Sequence, residues 1–210
     1  MKLLFMPAKT KSELKVDLEK ISKKLPKNIS IAYSIQFKDI AHNVRKVLSD
    51  KHKITSIVQV LGCSNPRFTK ETQAVLLIGS GKFHAISLAF ESKLPVYILN
   101  SDGLEKVADE DIKKLEIKHK AALLKFHNAE KVGILISTKP GQQKFLSALK
   151  LKEKYRDKKF YLFINNDINI KEFENFRIDT WVNTACPRLD YDYPIINIIE
   201  LIGKKEVYGK

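Results

Sequence analysis

The stretch Val132-Gly133-Ile134-Leu135-Ile136-Ser137-Thr138 decides the predicted fold, because it is an apolar run followed at once by the turn Lys139-Pro140-Gly141. Apolar residues at helical spacing then run from Gln142 to about Arg156. A buried strand leading into a helix is typical of a parallel crossover unit. The run Ile31-Ala32-Tyr33-Ser34-Ile35, also followed by a helical pattern, resembles it. We therefore expect two similar halves.

Similar runs recur along the whole chain. Apolar runs predict strands over residues 2–6, 29–36, 57–61, 74–79, 96–100, 132–138, 160–165, 180–185 and 195–199. Helical spacing predicts helices over 11–24, 37–50, 84–92 and 142–156. A longer helical pattern over 104–128 predicts a bridging helix, which separates domains at 1–103 and 129–210. The alternation predicts an α/β fold with parallel sheets.

The composition of the 210 residues is typical of a soluble globular protein, with 44% hydrophobic and 30% charged residues. The apolar start is cut off at Pro7, too early for a signal peptide, and no window is long enough for a membrane span. The net charge of +14 favours an acidic partner, either nucleic acid or an acidic protein surface. Arginine-rich tracts with interleaved aromatics are absent from the sequence, so specific nucleic-acid binding is not expected.

Two cysteines, Cys63 and Cys186, each follow a predicted strand. Carboxyl ends of parallel strands border the crevice where open α/β sheets bind ligands, so we predict one shared site. Without a secretory signal, thiols are more often ligands or nucleophiles than disulfides, and a cytoplasmic protein is expected. Thiolates favour zinc or iron–sulfur clusters, but no Cys-x-x-Cys pair supports zinc or thiol redox chemistry. A buried inert cysteine is the alternative for each thiol.

Three further turns carry polar side chains after predicted strands. Gly79-Ser80-Gly81-Lys82-Phe83-His84 is glycine-rich and would admit an anion close to the backbone, or would serve only as a tight connection. Ser137-Thr138-Lys139-Pro140-Gly141-Gln142 offers a cation and an amide at a predicted helix start. Asn183-Thr184-Ala185-Cys186-Pro187-Arg188 adds an arginine beside the second thiol. His84 could ligate zinc, bind a substrate or cap a helix.

In several segments the chain resembles the archaeal diphthamide synthases. The matching segments include Gln59-Val60-Leu61-Gly62-Cys63, Leu77-Ile78-Gly79-Ser80-Gly81-Lys82-Phe83-His84, Lys93-Leu94-Pro95-Val96-Tyr97, Gly133 to Gln142, and Val182-Asn183-Thr184-Ala185-Cys186-Pro187-Arg188-Leu189. They occur in the family's order over nearly the whole chain. The Asn-Thr-Ala-Cys-Pro-Arg run is the most specific of them.

The resemblance implies Rossmann-like α/β domains arranged around a [4Fe–4S] cluster, with one cysteine from each of three domains. The cluster's fourth iron would bind S-adenosylmethionine, and one-electron reduction would release a 3-amino-3-carboxypropyl radical. That radical would add to a histidine of elongation factor 2. The resemblance also implies a dimeric assembly.

Carried over by motif, Cys63 and Cys186 match cluster ligands, while Ser80, His84, Lys139, Gln142 and Arg188 match residues near the site. Arg188 and Lys139 would suit a substrate carboxylate. Gln142 would orient a polar group of the aminocarboxypropyl arm.

The family's first domain, with its cysteine, has no match in this sequence, whereas such a cluster needs three thiolates. One explanation is a split enzyme, completed by a companion first-domain chain of about 100 residues. A truncated fragment is a second explanation. A degenerate relative that lost catalysis and kept a binding role is the third.

Overall fold

The computed structural model describes residues 4, 6, 8, 10, 14, 16–61, 66–79, 81–173, 175–189 and 194–208. Contacts divide the chain into two compact units, unit 1 over residues 1–113 and unit 2 over residues 114–210. Among the described residues, each unit contains one sheet. No helix in these ranges combines the length and the apolar character that crossing a membrane requires.

Unit 1 is built on a five-stranded sheet in the order β2-β1-β3-β4-β5. Its elements are α1 Leu18–Ser22, β1 Asn28–Tyr33, α2 Lys38–Leu48, β2 Lys53–Gln59, β3 Ala74–Ile78, α3 Lys82–Ser92, β4 Val96–Asn100 and β5 Gly103–Lys106, with a 3-10 turn at Ile35–Phe37. The first four strands are parallel, as the sequence predicts. The strands β1 and β3 are almost fully buried, which explains their unbroken apolar runs.

Several predicted boundaries in unit 1 are wrong or lie outside the described residues. The strand predicted over 29–36 ends at Tyr33, and a 3-10 turn begins at Ile35. The helix predicted over 11–24 is observed as Leu18–Ser22, because the Asp17 carboxylate accepts the N–H groups of Glu19 and Lys20 and starts the helix there. Residues 1–3, 5, 11–13 and 15 lie outside the described part of the chain, which includes most of the strand predicted over 2–6.

The predicted bridging helix over 104–128 is wrong in its first residues. Gly103–Lys106 forms β5, which pairs antiparallel with β4 after a tight turn. In that turn Gly103 has a φ of 124°, and the N–H of Asp102 donates to Asn100 Oδ1 at 2.9 Å. Helix α4, Asp109–Asn128, begins with three acidic residues, which suit the positive end of a helix dipole. The division between the units falls within α4.

Unit 2 is built on a four-stranded, fully parallel sheet in the order β7-β6-β8-β9. Its elements are β6 Lys131–Ser137, α5 Phe145–Lys154, β7 Lys159–Asn165, a 3-10 turn at Ile170–Phe173, β8 Thr180–Asn183, β9 Ile196–Asn197, α6 Ile198–Ile202 and α7 Lys204–Tyr208. The strand predicted over 195–199 is wrong beyond Asn197, because a capping box between Asn197 and Glu200 starts α6.

The two faces of the unit 2 sheet are packed differently. One face buries Ile134 and Ile136 against α4, α5 and α6. The other face carries an aromatic cluster of Phe163, Phe173, Phe176 and Trp181, with ring centroids 4.8 to 5.7 Å apart. Trp181 pairs across the sheet with Gly133, and a Cβ added at Gly133 would lie 2.3 Å from the indole ring. The strand accepts this ring because Gly133 has no side chain.

The two sheets share one topology. In each, the first strand is central, the second lies at an edge, the third lies on the first strand's other side, and the fourth follows outside it. This correspondence supports the hypothesis of two similar halves and confirms the α/β class with parallel strands. In sequence, Cys63 comes after the edge strand β2, whereas Cys186 comes after β8, the counterpart of β3.

Candidate functional site

Cys186 lies in a tight turn after β8. The strand ends at Asn183, two residues earlier than predicted, so Cys186 belongs to the loop rather than to the strand end. The N–H of Leu189 donates to the Cys186 carbonyl at 3.1 Å and closes a four-residue turn, with Pro187 in the second position, where its fixed φ is favoured. Cys186 is half-buried and forms no disulfide, and Arg188 is exposed. The turn therefore holds a thiol and a guanidinium two residues apart.

The chain leading into this turn is fixed by side-chain hydrogen bonds. Asn183 Oδ1 accepts the N–H of Ala185 at 2.9 Å, and Asn183 Nδ2 donates to the Cys186 carbonyl at 2.8 Å. Thr184 donates to the Leu135 carbonyl through both its N–H, at 3.1 Å, and its Oγ1, at 2.8 Å. Asn183 and Thr184 are both buried. The loop is thereby tied to the neighbouring strand β6.

Lys139 and Gln142 flank a second turn, which follows β6. The N–H of Gln142 donates to the Lys139 carbonyl at 3.0 Å, Pro140 occupies the second position, and Gly141 has a φ of 81°. This geometry is a type II turn, which requires a residue such as glycine in the third position. Helix α5 begins at Phe145, so Gln142 precedes it by three residues rather than starting it as predicted.

The Lys139 ammonium is already engaged. It donates a hydrogen bond to the carboxylate of Asp167, which lies in the loop after β7. This hydrogen bond and the adjacent positive charge lower the pKa of Asp167 below its ordinary value. The main-chain N–H of Lys139 also donates to Ser137 Oγ at 3.1 Å. A substrate carboxylate at Lys139 would therefore have to compete with Asp167.

In unit 1, the predicted glycine-rich turn is described only in part. Gly81 is the N-cap of α3, and an added Cβ there would lie 3.2 Å from His84 Nδ1, so the imidazole folds back over this glycine. The His84 ring also meets the Phe83 ring edge-on at 5.5 Å. Ser80 and Cys63 lie outside the described residues.

The structure thus brings some predicted site residues to one sheet edge. The turns of Lys139 and Cys186 follow β6 and β8, which are parallel neighbours, so both lie at the carboxyl edge of the unit 2 sheet. Within the ranges that the structure describes, no three His, Cys, Asp or Glu side chains form a metal-binding group. Cys186 is suited to be one thiolate ligand, since it is free of disulfide and only half-buried. The other ligands of a metal centre would come from residues outside the Cys186 turn.

Sequence reasoning named Asn183 within the Cys186 motif without giving it a role, and it missed Asn197 and Asp167 as contributors to this edge. The role of Asn183 could have been predicted, because an asparagine side chain after a strand often accepts the N–H of the second residue that follows it and so forms an Asx-turn. The other two contact the site from separate segments of the chain, so no local pattern indicates them.

The comparisons with known proteins agree on one family. The model of the family described as "Putative diphthamide synthesis protein" matches residues 1–202. The chain is 30% identical over 208 residues to the 2-(3-amino-3-carboxypropyl)histidine synthase of Methanocaldococcus jannaschii, covering 91% of this chain and 56% of that protein. It is 31% identical over 162 residues to the synthase of the same name from Pyrococcus horikoshii, covering 71% of this chain and 47% of that protein. The chain therefore spans about half the length of these curated relatives.

Solved structures show the same fold. Dph2 from Pyrococcus horikoshii superposes with a TM-score of 0.76 at 24% identity, over 94% of this chain and 62% of that one. The structure of Dph2 from Pyrococcus horikoshii with a 4Fe-4S cluster gives a TM-score of 0.73 at 25% identity, over 91% of this chain and 61% of that one. With the family model matching nearly the whole sequence, this chain belongs to the diphthamide synthesis protein family.

Proposed function

We propose that this chain is a component of a 2-(3-amino-3-carboxypropyl)histidine synthase. The assembled enzyme would transfer the 3-amino-3-carboxypropyl group of S-adenosylmethionine to a histidine of elongation factor 2, the first step of diphthamide formation. The names of its relatives support this reaction. The observation that carries the proposal is the Cys186-Pro187-Arg188 turn, because it holds a free thiol and an exposed guanidinium two residues apart at the carboxyl edge of a parallel sheet.

Cys186 and Cys63 would hold two irons of a [4Fe–4S] cluster, the group present in a structurally similar Dph2. When bound, this cluster would supply the single electron that cleaves S-adenosylmethionine into its radical fragment. The sequence contains two cysteines, so a third thiolate must come from outside it. In our proposal a companion polypeptide corresponding to the family's first domain provides that thiolate. The half-buried position of Cys186 fits a ligand that is approached by a second polypeptide.

The remaining predicted residues would bind the substrate. Arg188 is exposed and would pair with the carboxylate of S-adenosylmethionine, for which its planar fork is suited. Gln142 would orient the amino group of the same arm, and Lys139 would assist only after release from Asp167. Ser80 and His84, which match residues near the family's site, would also contact the substrate. The assembled unit would act as a dimer in the cytoplasm, where thiolate ligands stay reduced.

The role of Arg188 is tested by substrate binding. Arg188→Ala removes the proposed partner of the substrate carboxylate and should weaken S-adenosylmethionine binding to the assembled, cluster-loaded enzyme at least about tenfold. Arg177→Ala is the matched control, because Arg177 is an exposed arginine that precedes the amino end of β8. Calorimetric titration measures both. Equal affinity in Arg188→Ala and wild type would remove Arg188 from the substrate site.

The transfer itself is tested with S-adenosylmethionine labelled in its aminocarboxypropyl group. Incubated under reducing anaerobic conditions with the companion polypeptide and elongation factor 2, the wild-type chain should label the factor, and Cys186→Ala should not. Labelling that survives Cys186→Ala would exclude the proposed role of this thiol.

The second candidate function is a non-catalytic binding module that keeps the fold without a cluster. The presence of two cysteines in a sequence whose proposed cofactor needs three thiolates favours it. This module would bind elongation factor 2 or a companion chain but would take up no iron under any condition.

A further inference from the structure

The loop that carries Cys186 is held by a pair of buried asparagines contributed by two strands. Asn183 ends β8 and Asn197 ends β9, and the two residues are paired across the parallel ladder. Their exposed fractions are 1% and 8%. Asn183 Nδ2 donates to Asn197 Oδ1 at 2.6 Å. The register of the sheet itself therefore places the two amides against each other.

The orientation of both amides is determined by main-chain groups. Asn183 Oδ1 must face the N–H of Ala185, and Asn183 Nδ2 must face the carbonyl of Cys186. Asn197 then presents Oδ1 to Asn183, and its Nδ2 faces the carbonyl of Pro187 at 3.4 Å. The carbonyls of Cys186 and Pro187 are thus both bound by side chains from strand ends. No buried side-chain polar atom among the described residues lacks a partner.

Asn197 is in turn fixed by the helix that follows it. Its N–H donates to the Glu200 carboxylate at 3.3 Å, and the second oxygen of that carboxylate lies 3.3 Å from His119 Nδ1 on α4. Helix α4 packs in the same core as β9 and α6. The Cys186 loop is therefore connected through Asn183, Asn197 and Glu200 to His119 of α4, and each of these residues lies in unit 2.

We infer that Asn183 and Asn197 are positioning residues that fix the main chain of the Cys186 turn before any ligand binds. The importance of this positioning for catalysis rests on the proposed function, in which Cys186 is a cluster ligand. The rigidity of the loop is a property of the chain alone. Neither asparagine touches the reacting atoms in this account, because both act through the Cys186 and Pro187 carbonyls.

Hydrogen exchange of the metal-free chain tests the inference. Asn183→Ala removes three hydrogen bonds of the loop, so the amides of residues 184–186, 188 and 189 should exchange at least about tenfold faster, while β6 keeps its protection. Asn165→Ala is the matched control, because Asn165 also ends a strand and accepts an N–H, from Asn166 at 2.8 Å, but is exposed. Asn165→Ala should leave residues 184–189 unchanged.

A second variant keeps the inference testable if Asn183→Ala does not fold. Asn183→Asp has nearly the same shape and retains the acceptor for Ala185, but it replaces the donor to the Cys186 carbonyl with an oxygen. The same local loss of protection is expected. Unchanged exchange over 184–189 in a folded variant, or a loss spread equally over β6, would overturn the positioning role. Because no cluster is needed, a failed reconstitution would count against the proposed function and leave this result standing.

Discussion

Among the described glycines of unit 2, Gly133 is the one at which an added Cβ would overlap a neighbouring side chain. Its missing side chain leaves the space that the Trp181 ring occupies, and that ring belongs to the aromatic cluster on this face of the sheet. Sequence alone shows only a glycine inside an apolar strand, which indicates a bulge or a close approach without saying which. The structure identifies a close approach by an indole.

Gly133→Ala should destabilise the chain by about 1–3 kcal/mol, because the new methyl group would overlap the ring and force strand or indole to move. Urea unfolding measures the change. Gly79→Ala is the control, since its added Cβ would lie 3.7 Å from Ser34 Oγ, an ordinary contact. Replacing Trp181 with Leu in the same chain should recover part of the loss. A Gly133→Ala chain as stable as wild type would show that the cluster adapts without strain.

Lys93 is the converse case to Gly133, because it carries a side chain at a backbone conformation that favours glycine. It ends α3 with a φ of 58°, in the left-handed region. Lys93→Gly should stabilise the chain by about 0.5–1 kcal/mol through relief of this strain, although the contact of its ammonium with the Phe90 ring at 4.3 Å is lost. Lys93→Ala keeps the strained backbone and should give no gain. A decrease in stability with glycine would mean that the ring contact outweighs the strain.

At the scale of elements, the start of β6 is fixed by a carboxylate. Asp179 Oδ2 accepts the N–H groups of Lys131 at 2.7 Å and Glu130 at 3.0 Å. These bonds, led by that of Lys131, lower the pKa of Asp179 below its ordinary value of 3.8. The unfolded chain therefore binds a proton more readily than the folded chain. The stabilisation is fully present above the ordinary pKa and is lost as the pH falls through the lower, folded value.

Asp179→Asn should accordingly make the free energy of unfolding fall less steeply with acidification below about pH 4. Part of the pH dependence of the free energy of unfolding will remain in this variant, since the pKa values of Glu130, Asp167 and Glu206 are also lowered. Denaturation at a series of pH values measures the slope, and the exposed Asp157→Asn serves as the control for loss of charge. Identical slopes for Asp179→Asn and wild type would contradict the assignment.

Much of the element pattern could be predicted from the sequence, because buried parallel strands give unbroken apolar runs. The strand 96–100 was predicted with its observed bounds, and most others within a few residues. Predictions failed where a side-chain cap or a turn decides the outcome, as at Asp17, Asn197 and Gly103. The antiparallel strand β5 was missed because its four residues include two charged ones and border a strong helical pattern.

At the scale of the whole molecule, the candidate site could be predicted only in part. The Lys139 and Cys186 turns were expected at strand ends, and the structure places both at one sheet edge. The buried asparagines beside Cys186 depend on strand register, and the Asp167 contact depends on two loops meeting, so neither has a local signature. The sequence contains two cysteines, so the third thiolate of the proposed cluster would come from another polypeptide.

The most direct test of the central claim is iron–sulfur reconstitution under anaerobic conditions, read by visible absorption and electron paramagnetic resonance. We expect the signal of a [4Fe–4S] cluster when the chain is combined with its companion polypeptide, and its loss in Cys186→Ala. The Asn165→Ala chain, altered at the end of β7 rather than in the Cys186 loop, should load normally. A cluster that forms equally well in Cys186→Ala, or no cluster with or without the companion, would contradict the account and favour the binding module.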